Sequence, residues 1–143
     1  MLGILSSIIS GMTMSIQGVF NTRLGEKIGL AETNAIVQGT AFLITLIVAF
    51  CLGKGDVHNI KICKKIYLLG GVLGVIITYT VMYGIKSLGP THSIALILVS
   101  QLIMAFLIDL FGLFDSKNIK FNLHELVGIF MLIAGMVILK WKG

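Results

Sequence analysis

Residues 92–114 read HSIALILVSQLIMAFLIDLFGLF, a run of twenty-three residues whose one charged side chain at neutral pH is Asp109. As a helix it would rise about 34 Å, and about 20 mostly apolar residues are enough to cross the hydrocarbon core of a bilayer. Backbone groups in lipid must be satisfied within the segment, so the run is predicted to be a membrane helix. Working outward, four more such runs appear at Leu2–Thr22, Asn34–Gly53, Ile66–Lys86 and His124–Lys140. The expected fold is all-α: one five-helix membrane domain over residues 1–143. The gaps collect the charge, with Arg23, Glu26, Lys27 and Glu32 in the first, Lys54, Asp56, Lys61, Lys64 and Lys65 in the second, and Lys117 and Lys120 in the fourth. The third gap holds Gly89 and the single proline, Pro90, a stop followed by a helix restart.

Composition agrees with this reading. The 143 residues are 57% hydrophobic and 12% charged, against roughly 45–50% and about 25% in soluble domains. Mean hydropathy is +1.03. A soluble globular protein, a disordered chain and a disulfide scaffold are all excluded. The net charge of +5 is scattered through short gaps, which fits anionic headgroups and not nucleic acid. Leu2–Thr22 lacks a basic leader and a small-x-small cleavage site, so it is read as a membrane helix and not a signal peptide. Cys51 and Cys63 lack metal-type spacing, and neither a metal nor a cofactor is expected.

Five spans put the two ends of the chain on opposite faces. One face then carries Lys54, Lys61, Lys64, Lys65, Lys117 and Lys120, and the other Arg23, Lys27, Lys86, Lys140 and Lys142. Six against five is a weak orienting signal. Either a single charge near a helix end decides, or the chain inserts both ways up, which would allow an antiparallel pair of identical chains.

Polar residues inside the spans are the functional candidates. Ser6, Ser10, Thr13, Gln17 and Asn21 fall on one stripe of the first helix. They either hydrogen-bond neighbouring helices or line a cavity, and cavity lining is favoured for Gln17 and Asn21. In the fourth helix Gln101, Ala105 and Asp109 share a face. Gln101 lies about 3 Å from the helix midpoint and Asp109 about 9 Å from it. An intramembrane carboxylate either handles protons or cations or demands a cationic partner, here Lys117 or Lys65 at the membrane edge. The third helix offers Gly70 and Gly74 for close packing, then Tyr79 and Tyr83, as ring faces for an organic cation or as interface anchors. Gly128 and Gly135, a heptad apart on an otherwise apolar fifth helix, read as an assembly surface rather than a pathway wall, with Glu125 structural in its first turn.

No G-x-x-x-x-G-K-[ST] loop is present, and His124-Glu125 has no second His to complete a zinc-protease motif. No Ser, His and Asp set shares a depth, so an enzyme is not expected. Three readings remain: a small secondary transporter, a membrane accessory subunit needing a different partner chain, and, least expected, a membrane-embedded enzyme. Polar residues spread over several helices favour the transporter.

Gln17-Gly18, Asn21 and Leu24-Gly25, Leu88-Gly89, Gln101-Leu102, Leu107-Ile108-Asp109 and Phe111-Gly112-Leu113-Phe114 together resemble the YdcZ family of the drug/metabolite transporter superfamily, over nearly the whole chain. The family often has a His after this Asp, where Leu110 stands here. The last helix is also similar to the dimerising helix of the small multidrug resistance proteins, which use a carboxylate in the first helix where this chain has Gln17. The resemblance implies a ten-helix inverted-repeat transporter of which five helices are one half, completed by an antiparallel homodimer in the inner (plasma) membrane. The expected function is export of a small metabolite or organic cation. Thr13, Gln17, Asn21, Gln38, Tyr79 and Gln101 would line the substrate pathway. Asp109 would be a proton site or gate, and because two antiparallel copies of it lie about 18 Å apart along the membrane normal, the gate is favoured.

Overall fold

The computed structural model describes residues 1–116 and 123–141. Five long helices carry the chain: α1 (Leu2–Ile28), α2 (Leu30–Leu52), α3 (Gly70–Leu88), α4 (Pro90–Phe111) and α5 (Leu123–Trp141). Two short 3-10 turns, Val57–Lys61 and Lys65–Leu69, lead into α3, and a third, Leu113–Asp115, follows α4. Among the described residues there is no strand. Four stretches of the described residues are long and apolar enough to cross a membrane: α1, α2, Lys65–Leu88 and α4. The apolar part of α5, Leu126–Leu139, is shorter.

Helix ends and hydropathy ends differ in a physically simple way. The apolar run of α1 stops at Thr22, but the helix continues to Ile28 and α2 restarts at Leu30, so the first gap is helix except at Gly29. At 27 residues α1 is about 40 Å long, more than the roughly 30 Å hydrocarbon core requires. Arg23, Glu26 and Lys27 are good helix formers that extend it into the headgroup region. An Arg23–Glu26 ion pair of 3.0 Å spans one turn there. Gly29 makes the reversal alone, at φ 101°. At that φ any residue with a Cβ is strained, so the site needs glycine for its backbone. At the other end of the chain α4 stops at Phe111, short of the apolar run's end at Phe114. Gly112 turns left-handed there and returns its amide to the Ile108 carbonyl.

The chain divides into two compact units, Met1–Ser87 and Leu88–Gly143. In the first, α1 folds back against α2 and both meet α3. Its centre is built from small and polar residues: Gly18, Asn21, Thr22 and Gly25 of α1, Thr33 and Asn34 of α2, with Met82 and Ile85 of α3. A Cβ at Gly18 would lie 2.8 Å from Ile85 Cδ1 of α3, and one at Gly25 would lie 2.8 Å from Leu30 Cδ2 of α2. These glycines set how closely the helices approach. Lipid gives apolar side chains no reason to leave it, so helix association relies on such close contact and on interhelical hydrogen bonds. Consistently, Met82, Ile85 and Val99 are the buried hydrophobic side chains of the described residues, while most large apolar side chains are exposed.

In the second unit α4 packs on α5. His92, at the start of α4, places Nε2 3.3 Å from the carbonyl oxygen of Leu139 in the last turn of α5. A carbonyl can only accept, so Nε2 carries the proton and satisfies one of the helix-end oxygens.

Candidate functional site

Hydroxyls and carboxamides behave differently on these helices. Ser7, Ser15, Thr40, Thr80 and Ser100 donate to the carbonyl one turn earlier, at 2.8–3.0 Å. That satisfies a hydroxyl on a lipid-facing surface without any partner helix. A carboxamide has no such local solution, so each of the five in the spans, Gln17, Asn21, Asn34, Gln38 and Gln101, has to be accounted for.

Two of them lie where α2 meets α3. Asn34 is 5% exposed, and its Nδ2 donates to the Val75 carbonyl at 2.9 Å. Gln38, one turn on, donates from Nε2 to Thr78 Oγ1 at 3.2 Å, and Thr78 passes its own proton to the Gly74 carbonyl at 2.9 Å. A Cβ at Gly74 would sit 3.7 Å from Gln38 Nε2, an ordinary van der Waals contact, so the hydrogen bonds themselves hold this arrangement. The buried oxygens Asn34 Oδ1 and Thr33 Oγ1 have no hydrogen-bond partner among the described residues. With Asn21 buried on α1 and Thr22 donating at 2.7 Å to the Gly18 carbonyl, the first unit holds a polar centre with unused acceptors.

The other sequence-predicted residues lie outside that centre. Thr13 and Gln17 are exposed, although Asn21 on the same stripe is buried. Tyr79 is 42% exposed. Gln101 is exposed on α4. Gly70, Gly128 and Gly135 have open space where a Cβ would stand, so no contact among the described residues requires glycine at them.

Asp109 lines a groove between α4 and α5 with a volume of about 310 Å³. Leu102, Ala105 and Phe106 line its α4 side, and Gly128, Ile129 and Leu132 its α5 side. The Asp109 side chain is half-buried there. Lys117, one of its two predicted partners, lies outside the described residues, and so do Lys120 and the Glu125 side chain. Sequence reasoning assigned α5 to assembly because it lacks polar side chains, yet α5 forms one wall of the groove. What it supplies there is the absence of a side chain at Gly128.

Asn34 and Thr33 were not among the predicted site residues. The available signal was the Asn34–Gln38 spacing of one helical turn, which repeats the Gln17–Asn21 spacing of α1.

The profile of a family described as "Putative inner membrane exporter, YdcZ" matches residues 2–138. The chain belongs to the YdcZ family. No curated protein and no solved structure matches it. Membership places this YdcZ protein in the inner membrane, in agreement with its apolar helices, and in the drug/metabolite transporter superfamily.

Proposed function

We propose that this YdcZ protein is a small secondary exporter that works as an antiparallel homodimer, each copy supplying half of a ten-helix inverted-repeat transporter. The observation that carries the reading is the exposure of Gln17 and Gln101 on helices apolar enough to cross the membrane. An amide facing hydrocarbon without a hydrogen-bond partner costs several kcal/mol. A second copy, or the aqueous path between two copies, removes that cost. The near balance of basic residues on the two faces supports the antiparallel arrangement.

Asn21, Gln38 and Asn34 then present hydrogen-bonding groups to the substrate, with Thr13, Gln17 and Gln101 on the surfaces completed by the partner and Tyr79 as a ring face. Asp109 acts as a proton site or gate. Gly135 serves the contact between copies. The substrate is a small metabolite or organic cation, and the protein performs no covalent chemistry.

The test is transport by the purified chain alone in proteoliposomes, read as efflux across a panel of radiolabelled small amines and metabolites. Efflux above empty liposomes supports the reading. Efflux that arises only when a different membrane protein is co-reconstituted makes the chain an accessory subunit. Asp109→Asn separates the two roles of the carboxylate: a lost pH dependence identifies a proton site, and an unchanged one identifies a gate.

A further inference from the structure

We propose that the groove between α4 and α5 binds an amphiphilic organic cation taken from the membrane leaflet, with its ammonium group on Asp109 and its apolar tail along Gly128 and Leu132. This rests on the exporter reading and goes beyond it by naming a site and a substrate class. The groove is formed within one compact unit, Leu88–Gly143, so each copy carries a whole one.

The chemistry is asymmetric along its length. Asp109 lies two residues from the end of α4 at Phe111, hence near the membrane edge, while Leu102 lies two turns deeper. The rise between them is about 10 Å. Among the described residues the lining besides Asp109 is Leu102, Ala105, Phe106, Gly128, Ile129 and Leu132, none with a polar side chain. One anionic group at the shallow end of an apolar trough matches a molecule with one cationic head and one apolar tail, oriented as it already lies in a leaflet.

Glycine creates the trough. A Cβ at Gly128 meets nothing within 4 Å among the described residues, so neither their packing nor the backbone conformation demands glycine there. A larger side chain would project into open space and occupy it.

The energetics decide which part of the ligand matters. A tail moving from lipid into an apolar groove gains little, because both surroundings are equally apolar. A cation paired with a carboxylate in a low-dielectric site gains much more, and removing one member of such a pair typically weakens binding by about thirtyfold or more. Selectivity therefore resides in the charge, and the groove admits or excludes by shape.

The experiment is equilibrium binding of radiolabelled octyltrimethylammonium, whose extended tail is about as long as the groove, to the full chain in nanodiscs of zwitterionic phosphatidylcholine. Asp109→Asn is expected to weaken binding by about thirtyfold. Gly128→Leu, which leaves the carboxylate in place, is expected to weaken it at least about tenfold. Gly11→Leu, on α1 and off the groove, is expected to leave it unchanged. Octanol, neutral and of equal tail length, should not compete. Circular dichroism and size-exclusion profiles matching the native chain exclude misfolding of the variants. Binding that survives both Asp109→Asn and Gly128→Leu overturns the proposal. So does displacement of the probe by phosphatidylethanolamine at membrane abundance, which would make the groove a lipid site. Binding without efflux in proteoliposomes leaves the site standing and removes the exporter reading; efflux that ignores both substitutions does the reverse.

Discussion

Asn34 is the residue whose energetics and position disagree most. Its one hydrogen bond, to the Val75 carbonyl, is worth about 0.6 kcal/mol in a membrane setting, while its buried Oδ1 has no partner among the described residues, a deficit of about 1–3 kcal/mol. The deficit is the larger, so Asn34 is not maintained for stability. Asn34→Leu is expected to leave stability unchanged or to raise it by up to about 1 kcal/mol, while lowering transport. Gln38 is the contrast. Thr78 keeps its bond to the Gly74 carbonyl when Gln38 is removed, so Gln38→Leu should cost no more than about 0.6 kcal/mol. Unfolding by SDS in mixed micelles, measured beside efflux, checks both. A stability loss above about 2 kcal/mol for Asn34→Leu would return that residue to a structural role.

At the scale of elements, the five helices were readable from hydropathy and their ends were not. Hydropathy reports which residues sit in lipid, so it could not see that Arg23, Glu26 and Lys27 continue α1 beyond the bilayer core, or that Gly29 alone makes the turn into α2. The polar candidates were readable as residue types on stripes. Which of them become buried depends on helix packing, and that is set by Gly18 and Gly25, residues that carry no hydropathy signal of their own. Asp109 stood out as the lone carboxylate well inside a span, whereas its groove could not be anticipated, because it depends on a missing side chain on a different helix. The role of Gly18 can be tested directly. Its Cβ would stand 2.8 Å from Ile85 Cδ1 and 3.2 Å from Val81 Cγ1, whereas one at Gly11 on the same helix meets nothing within 4 Å. Gly18→Leu is expected to separate α1 from α3 at a cost of about 1–3 kcal/mol. Gly11→Leu should be neutral or slightly stabilising. Equal effects of the two in SDS unfolding would show that α1 is not held through Gly18.

At the scale of the whole molecule, orientation decides between a self-sufficient transporter and a half that needs another protein. If all five helices cross, the two membrane faces differ by one basic residue, six against five. A lysine near an anionic leaflet is worth about 1 kcal/mol, which corresponds to a preference of about fivefold, so the native chain should insert both ways with neither orientation below about one in six. A cysteine placed at Gly143 in a chain lacking Cys51 and Cys63, labelled on sealed cells with a membrane-impermeant reagent, reads the ratio. Adding Gly55→Lys and Asn59→Lys, both at exposed positions, makes the imbalance three charges, a preference of more than about a hundredfold. That variant should label uniformly and, alone, transport nothing. Lys54→Gln, Lys61→Gln and Lys65→Gln together bias the chain the other way, and co-expressing the two variants should restore efflux, because each supplies the orientation the other lacks. Full transport by the uniformly oriented variant alone would end the antiparallel arrangement. Rescue by the opposite variant would establish that two copies of this one chain, facing opposite ways, make the working unit.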